Sequence, residues 1–418
     1  MKLVKMSLVA ALVMGASAFA IDNVKVNGDA KLFYSTDNTD KPAGTAKDGL
    51  FGEANSVGDT ALRVAVTGDL LKNVSFGATG YAVSSLGLEN NLVDNTWAGS
   101  RNGFKDSAWM GELWLAGTAG KTTAKVGRME LDTPLVFSEK WSIVPNTFNA
   151  AVVMNQDIPN TTLIGAWIGQ GNGLNLNTGS DNNNTVGWDY MGKEFGTFGS
   201  RGAYIAGVIN NSFKPLVAQA WYYNVTDIAD AFWLQADWDC QLLKDVKVGA
   251  QYAHIDPDAA ASKTSTAYAV KVAYSGIKDL TLSAAYSTTD DDGTVRIANF
   301  ATDTNGRYNS TSSAKFAAQT KLYTEAWWNY GYVGQAGADT VTLAAAYDAG
   351  FAKLYAQYTD ISVQPNGGTT IDVEEATLTA TKSYGPLDAT LAYISADDSS
   401  VNNGKRYDTV QAYLTLNF

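Results

Sequence analysis

The side chains able to do chemistry gather in one stretch of this 418-residue chain. Residues 127–149, GRMELDTPLVFSEKWSIVPNTFN, set Arg128 and three carboxylates, Glu130, Asp132 and Glu139, among Leu, Val, Phe, Trp and Ile. Pro134 and Pro145 stiffen the path by locking φ and restricting the residue before each. A connection this apolar is not simply solvated, so the reading is that it folds inward over about 129–147. Placed across a lumen, its charges form a constriction of Arg128, Glu130, Asp132 and Glu139.

Catalytic alternatives fare poorly. The single histidine, His254, cannot make a histidine-based metal cluster, and the single cysteine, Cys240, cannot close an internal disulfide. A serine hydrolase would have to build on His254 beside Asp256 and Pro257, with a serine from a neighbouring strand. Asp290-Asp291-Asp292-Gly293 lacks the spacing and terminal Glu of an EF-hand and reads as a solvated loop. No enzymatic role is expected.

The elements that must position the inward stretch are strands. Val24, Val26, Gly28, Ala30, Leu32 and Tyr34 alternate with Lys25, Asn27, Asp29 and Lys31. Period two with one apolar and one polar face is a strand signature. The pattern recurs to the last residue as about eighteen strands, from 24–34 to 406–418. Short connections, such as 69–73 and 383–386, alternate with longer polar ones, such as 35–59, 84–106, 170–200 and 288–338. That asymmetry fits the two rims of a transmembrane antiparallel β-barrel, with short periplasmic turns and long extracellular loops.

The outward faces carry a repeated theme of aliphatics closed by an aromatic, for example Leu280-x-Leu282-x-Ala284-x-Tyr286. With alternating strand direction, Tyr222, Tyr252, Tyr286, Tyr358 and Tyr393 fall at the outer rim. Trp238, Tyr274, Tyr347 and Phe418 fall at the periplasmic rim. Amphipathic rings belong at both membrane–water boundaries. Backbone groups in lipid must be paired, so the sheet has to close, and about eighteen strands enclose an aqueous interior. On the inward face, Lys31, Arg63, Lys125 and Lys271 would form a basic wall opposing the carboxylates of the constriction.

Residues 1–20 read as an export signal: Lys2 and Lys5, an apolar core from Leu8 to about Met14, then Ala18-Phe19-Ala20. The barrel domain is then 21–418. Charged residues make up 17 %, below the roughly 25 % of soluble proteins, and the formal net charge is −12. Such a chain is a poor partner for nucleic acid, and a lumen lined by it favours cations.

The motifs Gly127-Arg128, Leu131-Asp132-Thr133-Pro134 and Val144-Pro145-Asn146-Thr147-Phe148-Asn149-Ala150 resemble the matching region of OprD-type outer-membrane channels. With the opening MKLVKMSLVAAL and a last strand ending on Phe418, the chain is most similar within that group to the campylobacterial major outer membrane porins. The resemblance implies an eighteen-stranded barrel in the Gram-negative outer membrane, a homotrimer, and a third extracellular loop that constricts the channel. It also implies a lumenal calcium ion, for which Glu130, Asp132 and Glu139 are the candidates. The arginine ladder of the substrate-selective members is sparse here. The expected function is therefore general diffusion of ions and small hydrophilic solutes through the lipid bilayer, mildly favouring cations. The alternatives are a substrate-specific channel of that group and a surface adhesin or structural barrel.

Overall fold

The computed structural model describes residues 21–39, 49–88, 107–140, 143–172, 195–302, 318–364, 366–400 and 402–418. The export signal read over 1–20 lies outside them, as do Trp141 and Ser142 of the inward loop and segments 89–106, 173–194 and 303–317.

The strands are β1 (Asp22–Asp37), β2 (Ser56–Leu71), β3 (Val74–Ser84), β4 (Ser107–Ala119), β5 (Thr122–Met129), β6 (Phe148–Asn155) and β7 (Thr161–Gly171). A two-residue β8 (Gly196–Thr197) hangs on β7, and the wall resumes with β9 (Ala203–Asn210), β10 (Leu216–Val225), β11 (Ala229–Asp239) and β12 (Val246–Pro257). It ends with β13 (Ser265–Ile277), β14 (Leu280–Thr289), β15 (Ala338–Asp348), β16 (Lys353–Val363), β17 (Ile371–Tyr384), β18 (Leu387–Asp398) and β19 (Tyr407–Asn417). Setting β8 aside, these are the eighteen wall strands read from the alternation. Several run further outward than the sequence pattern suggests. β12, for instance, reaches Pro257, whose missing N–H sits at the strand end where it breaks little of the ladder.

Every neighbour pairs antiparallel, and β1 bonds both β2 and β19, so the sheet closes without an edge. Gly28 and Phe418 exchange two backbone bonds of 2.9 Å at the seam, which seats the terminal aromatic in the wall. Turn chemistry explains the tight rim: Asn73, Asn160, Asp245 and Asp279 sit at left-handed φ of 54° to 65° in the short connections. Asn and Asp tolerate that conformation better than other side chains.

Faces alternate as expected. Leu282, Tyr286, Leu343, Tyr347, Leu391 and Tyr393 are exposed on the outside, while Gln251, Ser287, Thr342, Gln357 and Gln411 are buried inside. Outer-rim tyrosines carry their hydroxyls to carboxylates: Tyr222 donates to Asp230, Tyr286 to Asp339 and Tyr393 to Asp408, at 2.7–2.8 Å. The ring body stays in the apolar band while its polar tip is satisfied above it.

What sits inside is more than one loop. The β5–β6 connection (130–147) packs Leu135 and Val136 with Ile297, Ala301 and Leu322 of the β14–β15 connection against the inner surface of β9–β12. Its far end packs Ile143 and Val144 against Phe33, Tyr81 and Val83 of β1–β3. The inward stretch thus reaches between two parts of the wall.

Candidate pore constriction

The β5–β6 loop is held first by its own polar groups. Thr133 Oγ1 donates to the Val136 carbonyl at 2.7 Å, and Asn146 Oδ1 accepts from the Glu139 N–H at 2.7 Å. Tyr223 on β10 accepts from the Leu135 N–H through its hydroxyl at 3.3 Å, tying the loop to the wall.

Glu139 is 2 % exposed and does not line a water-filled passage. Its Oε1 accepts from Asn299 Nδ2 at 3.0 Å, from the Gln319 N–H at 3.1 Å and from Thr302 Oγ1. All three donors come from the β14–β15 loop, so this carboxylate clamps the two inward loops together. Asn299 completes the join by accepting from the Phe137 N–H at 3.1 Å and donating to its carbonyl at 2.9 Å. A buried carboxylate is tolerable only when it is so satisfied.

Glu130 and Asp132 behave differently. The Asp132 side chain is 81 % exposed and pairs with Lys321 Nζ at 2.8 Å. Glu130 pairs with Lys140 Nζ at 2.9 Å, and that hydrogen bond raises the lysine pKa above its ordinary value. Glu130 also lies within electrostatic reach of Arg63 and Lys125 on the wall. The three carboxylates therefore do not converge. Among the described residues no group of His, Cys, Asp and Glu is arranged to hold a metal ion, and the calcium site expected from Glu130, Asp132 and Glu139 does not fit this arrangement.

The basic wall divides as well. Lys31 and Arg63 both reach Asp29, at 3.8 and 2.5 Å, and Lys125 lies 4.1 Å over the Trp114 ring. These belong to β1, β2 and β5, on the arc that faces Glu130. Lys271 is on β13, about halfway round the ring, 5.7 Å over the Tyr323 ring. Lys31, Arg63 and Lys125 share an arc with Glu130, and Lys271 belongs to a second contact.

Arg128 leaves the lumen altogether. Along β5, Lys125 and Met129 point inward and Val126 is 56 % exposed outward, so alternation turns Arg128 out beside Asn149. Gly127 permits this path at φ 126°, where a Cβ would lie 2.2 Å from the Leu113 carbonyl oxygen.

The sequence leaves the 288–338 connection open between an exposed lid, an inward plug and a contact between copies, and the structure places its second half inward. Residues 318–333, read as part of a long extracellular loop, lie along the inner wall. Tyr323 OH donates to Asp237 at 2.6 Å and its N–H to Gln251 at 3.0 Å. Gly249 leaves room for that ring, because a Cβ there would come 2.5 Å from the hydroxyl. Further along, Thr342 and Gln357 donate to the carbonyls of Thr324 and Glu325. Glu375 on β17 receives the Trp327, Trp328 and Asn329 N–H groups at 2.8–3.2 Å. The signal was present in the run EAWWNYGYV (325–333), which is as apolar and aromatic as the first inward loop.

Comparison with known proteins agrees with this architecture. A family model described as outer membrane porin, OprD family, matches residues 115–362. No curated protein matches the sequence. Among solved structures from Pseudomonas aeruginosa, the chain is similar to OccK9 (OpdG), with TM-score 0.72, 14 % identity and coverage of 95 % of this chain and 98 % of that one. It is likewise similar to OccK3 (OpdO), with TM-score 0.70, 13 % identity and coverage of 97 % and 99 %. OpdK, solved with vanillate, gives TM-score 0.69, 12 % identity and coverage of 95 % and 98 %. With more than half its length under that family model and a closed eighteen-strand wall around an inward loop, the chain belongs to the OprD family of outer membrane porins, integral barrels of the bacterial outer membrane.

Proposed function

We propose that this porin is a constricted channel passing a restricted set of small hydrophilic solutes down their gradients, without covalent chemistry. One observation carries the reading: two inward loops are joined at the buried Glu139, and the exposed edge left beside them sets Glu130 and Asp132 against Arg63, Lys125, Lys140 and Lys321. Charges of both signs in a narrowed passage orient solutes that carry charge themselves. This favours the substrate-selective alternative over the general diffusion porin with mild cation preference expected from the sequence, as does membership of the OprD family. The vanillate carried by OpdK makes small carboxylates the first solutes to test. Residues 318–333 of the long 288–338 connection pack along the inner wall, which supports a channel over an adhesin. The placement among campylobacterial major porins, the homotrimer and the cleaved leader of residues 1–20 rest on the motifs of the sequence and form part of the same proposal.

The test is single-channel recording of the mature protein in a planar bilayer under a salt gradient, beside a Glu130→Gln/Asp132→Asn double variant. Conductance that saturates, is blocked by small carboxylates or zwitterions, and reverses less toward cations in the variant supports the proposal. Large unsaturable ohmic steps, identical in the variant, would return the protein to general diffusion. A folded barrel without conductance would make it a structural one.

A further inference from the structure

Arg128 sits on the outer surface of the barrel as part of an ordered polar row. It is in register with Asn149 on β6, which is in register with Gln170 on β7. Asn149 Nδ2 donates to Gln170 Oε1 at 2.8 Å, and this turns the Asn149 oxygen toward Arg128, whose Nε donates to it at 3.0 Å. Arg128 Nη1 donates to the Met110 carbonyl at 2.7 Å. That carbonyl lies beyond the β4–β5 ladder, which begins at Leu113 opposite Arg128. The Phe195 ring stacks 3.7 Å from the guanidinium carbon. The cation is thus held in one orientation, with its Nη2 edge left over from these bonds.

Directly below the row, on the same outward face, lies an apolar depression of about 450 Å³. Ala151 and Gly165 form its floor, and Leu115, Val126, Val153 and Trp167 form its sides. Those four side chains are 42–56 % exposed, as befits a surface that meets lipid. Arg128 and Asn149 are two residues nearer the extracellular ends of β5 and β6 than Val126 and Ala151, roughly 7 Å toward that rim. Trp167 is a boundary aromatic, its indole N–H donating to the Arg201 carbonyl at 3.1 Å. The row is therefore at headgroup height, and the groove is in the hydrocarbon.

We propose that this face is a binding site for an outer-leaflet lipid bearing a phosphate, its phosphate on the Nη2 edge of Arg128 and an acyl chain in the groove over Ala151 and Gly165. An oriented guanidinium suits phosphate through charge-assisted hydrogen bonds from its remaining N–H groups, and its carbon stem stays against apolar surface. Small residues below give a chain the close approach that larger side chains would deny.

The experiment is native mass spectrometry of the barrel extracted from the outer membrane, after detergent exchange in the presence of bisphosphorylated lipid A or its dephosphorylated form. The wild type retains one phosphorylated lipid per barrel, roughly tenfold over the dephosphorylated form. Arg128→Ala abolishes that preference, and Arg128→Lys keeps part of it. Ala151→Leu, which fills the groove with Arg128 intact, weakens retention and serves if Arg128→Ala does not fold. Equal retention by all variants, or indifference to the phosphate, would overturn the site. So would Arg128→Ala dissociating an oligomer with lipid retention unchanged, which would make the row a contact between copies of the chain.

Discussion

Asn329, on the inward β14–β15 loop, donates both its backbone N–H and its side-chain amide to the Glu375 carboxylate on β17, at 2.8 and 2.9 Å. The loop wraps three consecutive backbone N–H groups around one wall acceptor, and the Asn329 oxygen accepts in turn from Tyr407 OH at 3.2 Å. Removing such an acceptor leaves several buried donors unpaired, at about 1–3 kcal/mol each. Glu375→Ala is therefore expected to release the 327–329 turn from the wall. Red-shifted fluorescence of Trp327 and Trp328 against a barrel of unchanged circular dichroism would register it. An unshifted spectrum, with the same protease resistance, would remove Glu375 as the anchor.

The Glu139 clamp makes a separate prediction. Glu139→Ala strands donors on Asn299, Thr302 and Gln319 and frees the two inward loops from each other. Channels of this variant should conduct more and flicker, with faster proteolysis within 290–337. Glu139→Gln keeps an acceptor oxygen and should fall between the two. If Glu139→Ala conducts like the wild type, the loops are held independently.

Titration of the second inward loop has a definite sign. Loss of hydration pushes the Glu325 carboxyl up to about 8, with the nearby Glu139 as the next cause, against the opposing Thr320 N–H and Lys321. A carboxyl whose folded pKa lies above its free value of 4.5 binds more protons docked than undocked. Docking is then strongest below about pH 4.5 and weakens as pH rises through 8. Conductance noise should grow from pH 5 to 8.5, and Glu325→Gln should flatten that dependence. A wild-type trace insensitive to pH over this window would refute the assignment.

Tyr323 tests the contact on the β11–β13 arc. Tyr323→Phe removes the 2.6 Å bond to Asp237 and is expected to cost about 1 kcal/mol of loop docking. Gly249→Leu should cost more, since a side chain there occupies the space of the ring. Hydrogen exchange across 318–326 measures both, and equal protection in Gly249→Leu would show that the ring can sit elsewhere.

Much of this molecule was legible in one dimension, because a strand in a closed wall must put alternate residues in lipid and water. That rule yields the strands, the two aromatic rims and the terminal strand ending on Phe418. Followed strictly from Lys125, it also turns Arg128 outward, against the pull of its position at the mouth of an inward loop. Tertiary structure alone decided the fate of Glu139, whose partners are 160 or more residues away, and the separation of Lys271 from Lys31, Arg63 and Lys125. Carboxylates adjacent in sequence look equivalent until the loop folds. Burial then pairs Glu139 with fixed donors, while Asp132, earlier in the same loop, stays in water, and no local pattern encodes which donors a second loop will bring.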